Sequence, residues 1–353
     1  LAQVVAEELE VSIYDIDMVM GDTELCPYDA GTWGSLTTRF IDPVLRAAAA
    51  EAREVLLDLA AEHFGSNKTS LVVTQGVVSI KNDSSKKITY AELTKGKKIV
   101  RSLTKKPEIK KAKDFKLIGK PIMSLDAEAK VTGKAKYSGD IILPGMVYAT
   151  VVRPNVFGSK KVNVDTSKLS DFAGVQLIEK DNLVAVVHSN PEVSKQAAKS
   201  IQVTWDAPVA KVNQETIFEY LEDSIKDHRV FEKEGNLQTG KDLSTVYREA
   251  TYHDGYKAHA SIETHVATCF FEGDKLTLWA STQSPFGTRS AVAKALKMPL
   301  EKVHVKQIFL GGGFGGKSNS QQSVEAATIA KLCGKPVQLV WSRKEEFMYD
   351  NFR

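Results

Sequence analysis

Cysteine is scarce in this 353-residue chain: Cys26, Cys269 and Cys333 are widely spaced and odd in number. No disulfide framework and no C-x-x-C metal pair can be assembled from them. Long apolar runs are missing as well. A membrane span needs about 18–20 apolar residues in a row, and the most apolar candidate, 44–59, holds Arg46, Glu51, Arg53, Glu54 and Asp58. Nor is one charge in excess, since 47 Lys and Arg face 44 Asp and Glu, and a net charge of +3 demands no polyanionic partner. The one basic run lacks interleaved aromatics, and no nucleic-acid module is present, so nucleic acid is not an expected partner. What remains is an ordinary globular balance, 42% hydrophobic and 26% charged, long enough for two or three domains. The chain opens on Leu1 rather than Met, inside what already reads as a helix. A longer parent protein is therefore expected, and localisation is not readable.

Residues 1–94 read as an αβ block. A helix at 2–9 leads to a short strand at 16–20 and a Gly/Thr/Ser loop at 31–38. A strong helix follows, with Asp42 as N-cap, Pro43 at its first position and Gly65 as stop. Residues 71–73 and 77–80 flank Thr74-Gln75-Gly76 as a hairpin, and Tyr90 begins a short helix. Residues 95–116 carry ten Lys or Arg against Glu108 and Asp114, the composition of a solvated linker between domains. Residues 117–208 carry strands at 148–153, 183–187 and 201–205 and a helix at 191–200. Residues 209–353 start with a helix near 215–226 and a hairpin turning at Gly273-Asp274. A helix at 290–297, a strand at 302–310, a glycine loop, a helix near 320–332 and a strand at 337–341 follow, before an acidic and aromatic tail. The fold class is α+β.

The glycine loop is Gly311-Gly312-Gly313-Phe314-Gly315-Gly316-Lys317. Strand, glycine loop, helix is a generic anion cradle, because glycines admit a ligand close to the backbone and a helix N-terminus offers N–H donors. Gly311, Gly316, Lys317 and Ser318 spell the Walker A pattern of nucleotide-binding proteins. That reading also requires a strand ending in a magnesium-binding Asp, and no strand after Ser318 ends so. Gly311, Gly313 and Gly316 spell the dinucleotide pattern G-x-G-x-x-G. Its ribose-binding acid should end the next strand, where Ser342-Arg343-Lys344 stands instead and Glu345 comes late.

A third reading takes in the surroundings. Gly-Gly-Gly-Phe-Gly-Gly-Lys after a strand resembles the molybdopterin-contacting loop of the molybdenum hydroxylases, the xanthine dehydrogenase and aldehyde oxidase family. His259-Ala260-Ser261-Ile262-Glu263-Thr264-His265 resembles that family's H-x-x-x-E-[TP]-H segment. Trp279-Ala280-Ser281-Thr282-Gln283 is similar to its W-x-S-T-Q strand end, and Trp341-Ser342-Arg343-Lys344-Glu345-Glu346 to its [WY]-[ST]-R-x-E-[DE] strand. Residues 117–208, with Val131-Thr132-Gly133-Lys134-Ala135-Lys136-Tyr137, resemble the family's small α/β hammerhead domain. Residues 1–94, with Met20-Gly21-Asp22-Thr23 and Gly31-Thr32-Trp33-Gly34-Ser35, resemble a second molybdopterin-contacting segment. Its place ahead of the hammerhead is similar to isoquinoline 1-oxidoreductase and related aldehyde dehydrogenase beta subunits. The resemblance covers nearly the whole chain.

The resemblance implies molybdopterin-binding α/β segments, at 1–94 and 209–353, flanking a hammerhead domain at 117–208. It implies molybdopterin with molybdenum, the cytosine dinucleotide form included, held by Thr32, Gly34 and Ser35 and by Gly312, Gly313, Phe314, Gly315 and Gly316. In such proteins the dithiolene of the pterin carries the metal, so no side-chain metal ligands are expected. Gly315 N–H would donate to a molybdenum ligand, and Phe314 would pack against an aromatic substrate ring. The implied reaction is hydroxylation of a small N-heterocycle or aldehyde with water as oxygen source. The family's base, a glutamate, is expected beyond Arg353, and the iron–sulfur clusters on a small [2Fe–2S] partner subunit. This chain alone would be an inactive piece of the enzyme. Where the family often has a glutamine, two residues before His259, Lys257 stands. Another arrangement weighed is a two-His, one-carboxylate metal site of His259, Glu263 and His265, which share one face if 259–265 is a strand.

Overall fold

The computed structural model describes residues 1–96, 98–100, 107–306 and 308–352. Their contacts form two units, Leu1–Met146 with Ser261–Trp341, and Val147–Ala260 with Ser342–Arg353. Each is described separately.

The first unit begins with helix α1 (Ala2–Leu9), which buries Val4 and Ala6 but also Glu7 and Glu8. Two buried carboxylates need dedicated partners. Glu7 accepts the N–H groups of Lys116, Leu117 and Ile118 at 2.8, 2.6 and 3.1 Å and the ammonium of Lys110 at 3.1 Å. Burial opposes ionisation of Glu7, and these donors outweigh it, so its pKa falls below the ordinary value. Glu8 takes Arg46 at 2.8 Å and Arg53 at 3.4 Å. Both arginines lie on helix α2 (Thr37–Phe64), which packs along α1. The basic stretch expected to be solvated is thus fastened to α1 over 110–118. Lysine-rich composition identified a connection, and the two buried glutamates decide where it runs.

Helix α2 starts at Thr37, ahead of the expected Asp42, and carries Pro43 in its interior. Proline forgoes one backbone hydrogen bond there, which is why Asp-Pro reads as a helix start. The helix ends at Gly65 as expected. Strands β1 (Leu71–Thr74) and β2 (Val77–Ile80) form the expected hairpin, and a polar third strand, β3 (Asp83–Thr89), pairs with β2. Leu71, Val73 and Val78 pack with Ala60 of α2 and Leu93 of helix α3 (Tyr90–Thr94). Residues 16–20 pair with no strand, contrary to expectation. Their apolar side chains line a cleft rather than a sheet face. A short helix, α4 (Ala127–Val131), comes before the chain leaves this unit.

In the second unit β4 (Val147–Val151), β5 (Lys160–Asp165), β6 (Gln176–Lys180) and β7 (Leu183–His188) precede helix α5 (Pro191–Ser200) and strand β8 (Gln202–Asp206). β7 runs antiparallel between β4 and β6, and β5 pairs with β8. Asn190 caps α5 by accepting the Glu192 N–H at 2.9 Å, with Pro191 in the first turn. The helix lays Ala197 and Ala198 on Val186. Helices α6 (Ile217–Asp223) and α7 (Leu237–Leu243) then sit on a largely exposed stretch, 207–258.

Back in the first unit, β9 (Val266–Glu272) and β10 (Lys275–Ala280) form the expected hairpin. Helix α8 starts early, at Pro285, and runs Pro285–Leu296. Strand β11 (Val303–Lys306) is shorter than expected and lies parallel to β10. Helix α9 (Gln321–Cys333) leads to β12 (Val337–Val340), antiparallel to β9. The expected tail is in fact a helix, α10 (Arg343–Tyr349), which belongs to the second unit. Ser342 and Glu345 form its capping box, and Glu345 also holds Arg153 at 2.8 Å.

Candidate functional site

Gln283 occupies the short turn between β10 and α8, and two loops of the first unit converge on it. Its backbone N–H donates to the carbonyl of Lys317 at 2.8 Å, and its carbonyl accepts the Thr32 N–H at 2.9 Å. Its side-chain Nε2 donates to the Thr32 carbonyl at 3.1 Å, and its Oε1 accepts the Gly315 N–H at 2.9 Å. One residue thereby joins the loop at 31–36 to the loop at 311–316. The fit is close: a Cβ on Gly31 would stand 2.6 Å from the Gln283 carbonyl, and one on Gly313 would stand 2.4 Å from Gln283 Oε1.

Beside the joined loops lies a cleft of about 1770 Å³. Thr32, Gly34, Ser35, Gly313, Phe314 and Gly315 all line it. Gly312 and Gly316 do not: Gly316 is buried and donates to the Gly313 carbonyl at 2.9 Å, and Gly312 lies against Ser261 and the Phe314 ring. Ser35 and Phe314 adopt the left-handed region at φ 57° and 55°. Such backbone costs of order 1–3 kcal/mol and persists where surrounding contacts impose it. Phe314 stands 75% exposed in the cleft wall. Gly315 N–H, the donor expected to face a metal ligand, is held here by Gln283 Oε1. Among the described residues, the N–H groups of Gly34, Ser35, Gly313 and Phe314 meet no protein acceptor. Free donors on two facing loops, with apolar Met20, Trp33 and Val44 around them, fit a flat anionic cofactor such as molybdopterin.

The segment ahead of the first loop is anchored to β11. Thr23 N–H donates to the Val305 carbonyl at 3.0 Å, and Val305 N–H to Thr23 Oγ1 at 2.9 Å. Asp22 Oδ1 lies 2.8 Å from His304 Nε2. Burial raises the Asp22 pKa, but the Glu24 and Leu25 N–H groups and His304 prevail and hold it low.

Lys317 is fully buried, with its Nζ 2.5 Å from Glu263 Oε2. A Walker lysine must reach a phosphate, and this one is fully buried on Glu263 and does not line the cleft. The dinucleotide reading fares no better, because Glu345 is engaged by Arg153 and the α10 cap. The strand that would align His259, Glu263 and His265 is absent, since β9 begins only at Val266. His259 Nδ1 lies 3.3 Å from Asp350, Glu263 binds Lys317, and the His265 ring packs 4.8 Å from that of Trp341. Lys257 is exposed and pairs with Asp254. Burial pushes the thiols of Cys269 and Cys333 up, as for inert core residues. Reading the sequence missed Gln283 as a site residue. Its only signal was its position at the end of the W-x-S-T-Q segment.

Residues 1–139 and 221–353 each match a molybdopterin cofactor-binding domain family. Over 99% of its length the chain is 27% identical to a component of the nicotinate dehydrogenase of Pseudomonas putida, covering 30% of that protein. Over 91% it is 25% identical to the beta subunit of isoquinoline 1-oxidoreductase from Brevundimonas diminuta, covering 47% of it. The crystal structure of quinoline 2-oxidoreductase from Pseudomonas putida 86 superposes with a TM-score of 0.56 and 21% identity, over 67% of this chain and 36% of that one. The chain thus spans less than half of each of these proteins. Two facing glycine-bearing loops and two cofactor-domain matches define a molybdopterin-binding polypeptide. The chain belongs to the molybdenum hydroxylase family. Among the described residues, no helix is long and apolar enough to cross a membrane.

Proposed function

We propose that this chain is the pterin-gripping part of a molybdenum-dependent oxidoreductase that hydroxylates N-heterocycles or aldehydes, taking the oxygen from water. The observation that carries this reading is the junction at Gln283, which sets Thr32 and Gly315 on either side of one amide. It joins two cleft-lining loops whose Gly34, Ser35, Gly313 and Phe314 N–H groups have no protein acceptor among the described residues. Thr32, Gly34, Ser35, Gly313 and Phe314 would hold the pterin and its phosphate, with Gly312 and Gly316 shaping the loop behind them. When bound, the cofactor supplies a two-electron acceptor and activates water. This chain's residues contribute the grip, the apolar wall that excludes bulk water, and the Phe314 face for a substrate ring. The names of the nicotinate and isoquinoline relatives support a nitrogen heteroaromatic as substrate class. Electrons would leave through a small [2Fe–2S] subunit, because the three cysteines here hold no cluster. The base glutamate would lie beyond Arg353, and this chain alone would be inert. We assign 1–94 and 209–353 to the cofactor-binding segments, 95–116 to the linker and 117–208 to the hammerhead.

The test is cofactor content. The chain, produced with its natural partners in a host that makes molybdopterin, should carry about one molybdenum and one pterin per chain, read by metal analysis and by fluorescence of the released, oxidised pterin. Gln283→Ala should lower both at least tenfold. Tight ATP binding that Lys317→Ala abolishes, with no pterin in the wild type, would overturn the reading.

A further inference from the structure

Lys317 and Glu263 lie outside the cleft lining, yet they sit at the root of the loop that lines it. Glu263 Oε2 accepts the Gly311 N–H at 2.9 Å and the Lys317 ammonium at 2.5 Å. The Glu263 N–H donates back to the Gly311 carbonyl at 3.2 Å. Gly311 is pressed so closely here that a Cβ on it would stand 2.4 Å from Glu263 Cβ. From the other end, the Lys317 carbonyl accepts the Gln283 N–H at 2.8 Å and the Thr282 hydroxyl at 3.3 Å. The contacts therefore form a chain: Gly311 to Glu263, Glu263 to Lys317, Lys317 to Gln283, and Gln283 to both Gly315 and Thr32.

We propose that the buried Glu263–Lys317 ion pair is a positioning lock for both cofactor-gripping loops. It rests on the functional reading above and deepens it: the lysine that spells a phosphate-binding motif acts on protein, not on ligand. Glu263 fixes where the glycine loop starts, and Lys317 fixes where Gln283 sits. Neither residue touches the cleft. The pair is buried, with Lys317 side-chain exposure at 0% and that of Glu263 at 14%. Removing one partner breaks a buried ion pair, which is strongly destabilising, whereas replacing both partners by neutral groups avoids that cost. Glutamine at 263 keeps an oxygen for the Gly311 N–H, so a neutral pair can preserve the geometry.

The experiment compares Glu263→Gln, Lys317→Met and the double variant in the full chain. Two readouts are taken: pterin per chain, and hydrogen exchange of the peptide covering 308–320 in cofactor-free protein. Each single variant should hold at least tenfold less pterin and exchange at least tenfold faster in that peptide. The double variant should return to within about threefold of wild type in both. If Lys317 instead bound a phosphate of the cofactor, the double variant would lose pterin as severely as Lys317→Met while exchange recovered, and the lock would be overturned. It would equally be overturned by single variants with wild-type exchange. If a single variant fails to fold, the double variant still decides between recovery and loss. A wild-type chain that takes up no pterin would sink the functional reading alone, because exchange still tests the lock.

Discussion

A methyl group at position 31 and one at position 313 would meet different atoms of the same residue, and the contrast is informative. At Gly31 the obstacle is the Gln283 backbone carbonyl at 2.6 Å, and φ there is +108°. At Gly313 the obstacle is the end of the Gln283 side chain, and φ is not in the left-handed region. Gly31→Ala should therefore lower unfolding stability by about 1–3 kcal/mol from backbone strain alone, measured by urea denaturation. Gly313→Ala should leave stability within about 1 kcal/mol yet cost at least tenfold in pterin retention, because it displaces the amide that holds Gly315. Equal effects on stability would show that Gln283 cannot swing aside. The loop at 311–317 reads from the sequence as a cradle, and the loop at 31–38 joins it there only through the family resemblance. Gln283 was not readable, because its contact with Thr32 spans 251 positions and no local pattern encodes so distant a meeting.

Helix α1 looks amphipathic on paper, with Glu7 and Glu8 on what composition alone would make a solvent face. Instead both are buried, and the connection at 110–118 wraps over them. Local pattern gave the helix and the Gly65 stop of α2. It could not give the route of the connection, which depends on carboxylates finding backbone donors more than a hundred residues away. The strand expected at 16–20 failed for a related reason: apolar side chains can serve a cleft wall as well as a sheet. The Glu7 arrangement has a pH signature. Its folded pKa lies below the ordinary value of 4.5, so its stabilisation is complete above that value and is lost as pH falls through the folded pKa. Glu7→Gln should be less stable than wild type by about 3 kcal/mol near neutrality, by analogy with broken buried pairs. That gap should be constant from about pH 6 to 8 and narrow below about 4.5. A gap that widens in acid would contradict the assignment.

The first unit is discontinuous, with Val147–Ala260 set between its two stretches. Residues 207–258 are largely exposed and carry Lys226, Arg229 and Lys233. Limited trypsin should cut there first. The two stretches of the first unit should still co-elute in native gel filtration, joined by Thr23 on β11 and Thr32 on Gln283, and should separate in denaturant. Early cuts elsewhere, or native fragments that separate, would count against that packing. The same discontinuity sets a timetable for biosynthesis. Thr32 emerges 251 positions before Gln283, a delay of roughly 10–50 s at ordinary rates of translation. During that interval the first loop has no counterpart, and no nascent chain can retain a pterin. Pulse-labelled chains should acquire the cofactor only after Gly315 has been made and folded, so loading follows the meeting of the two loops on Gln283.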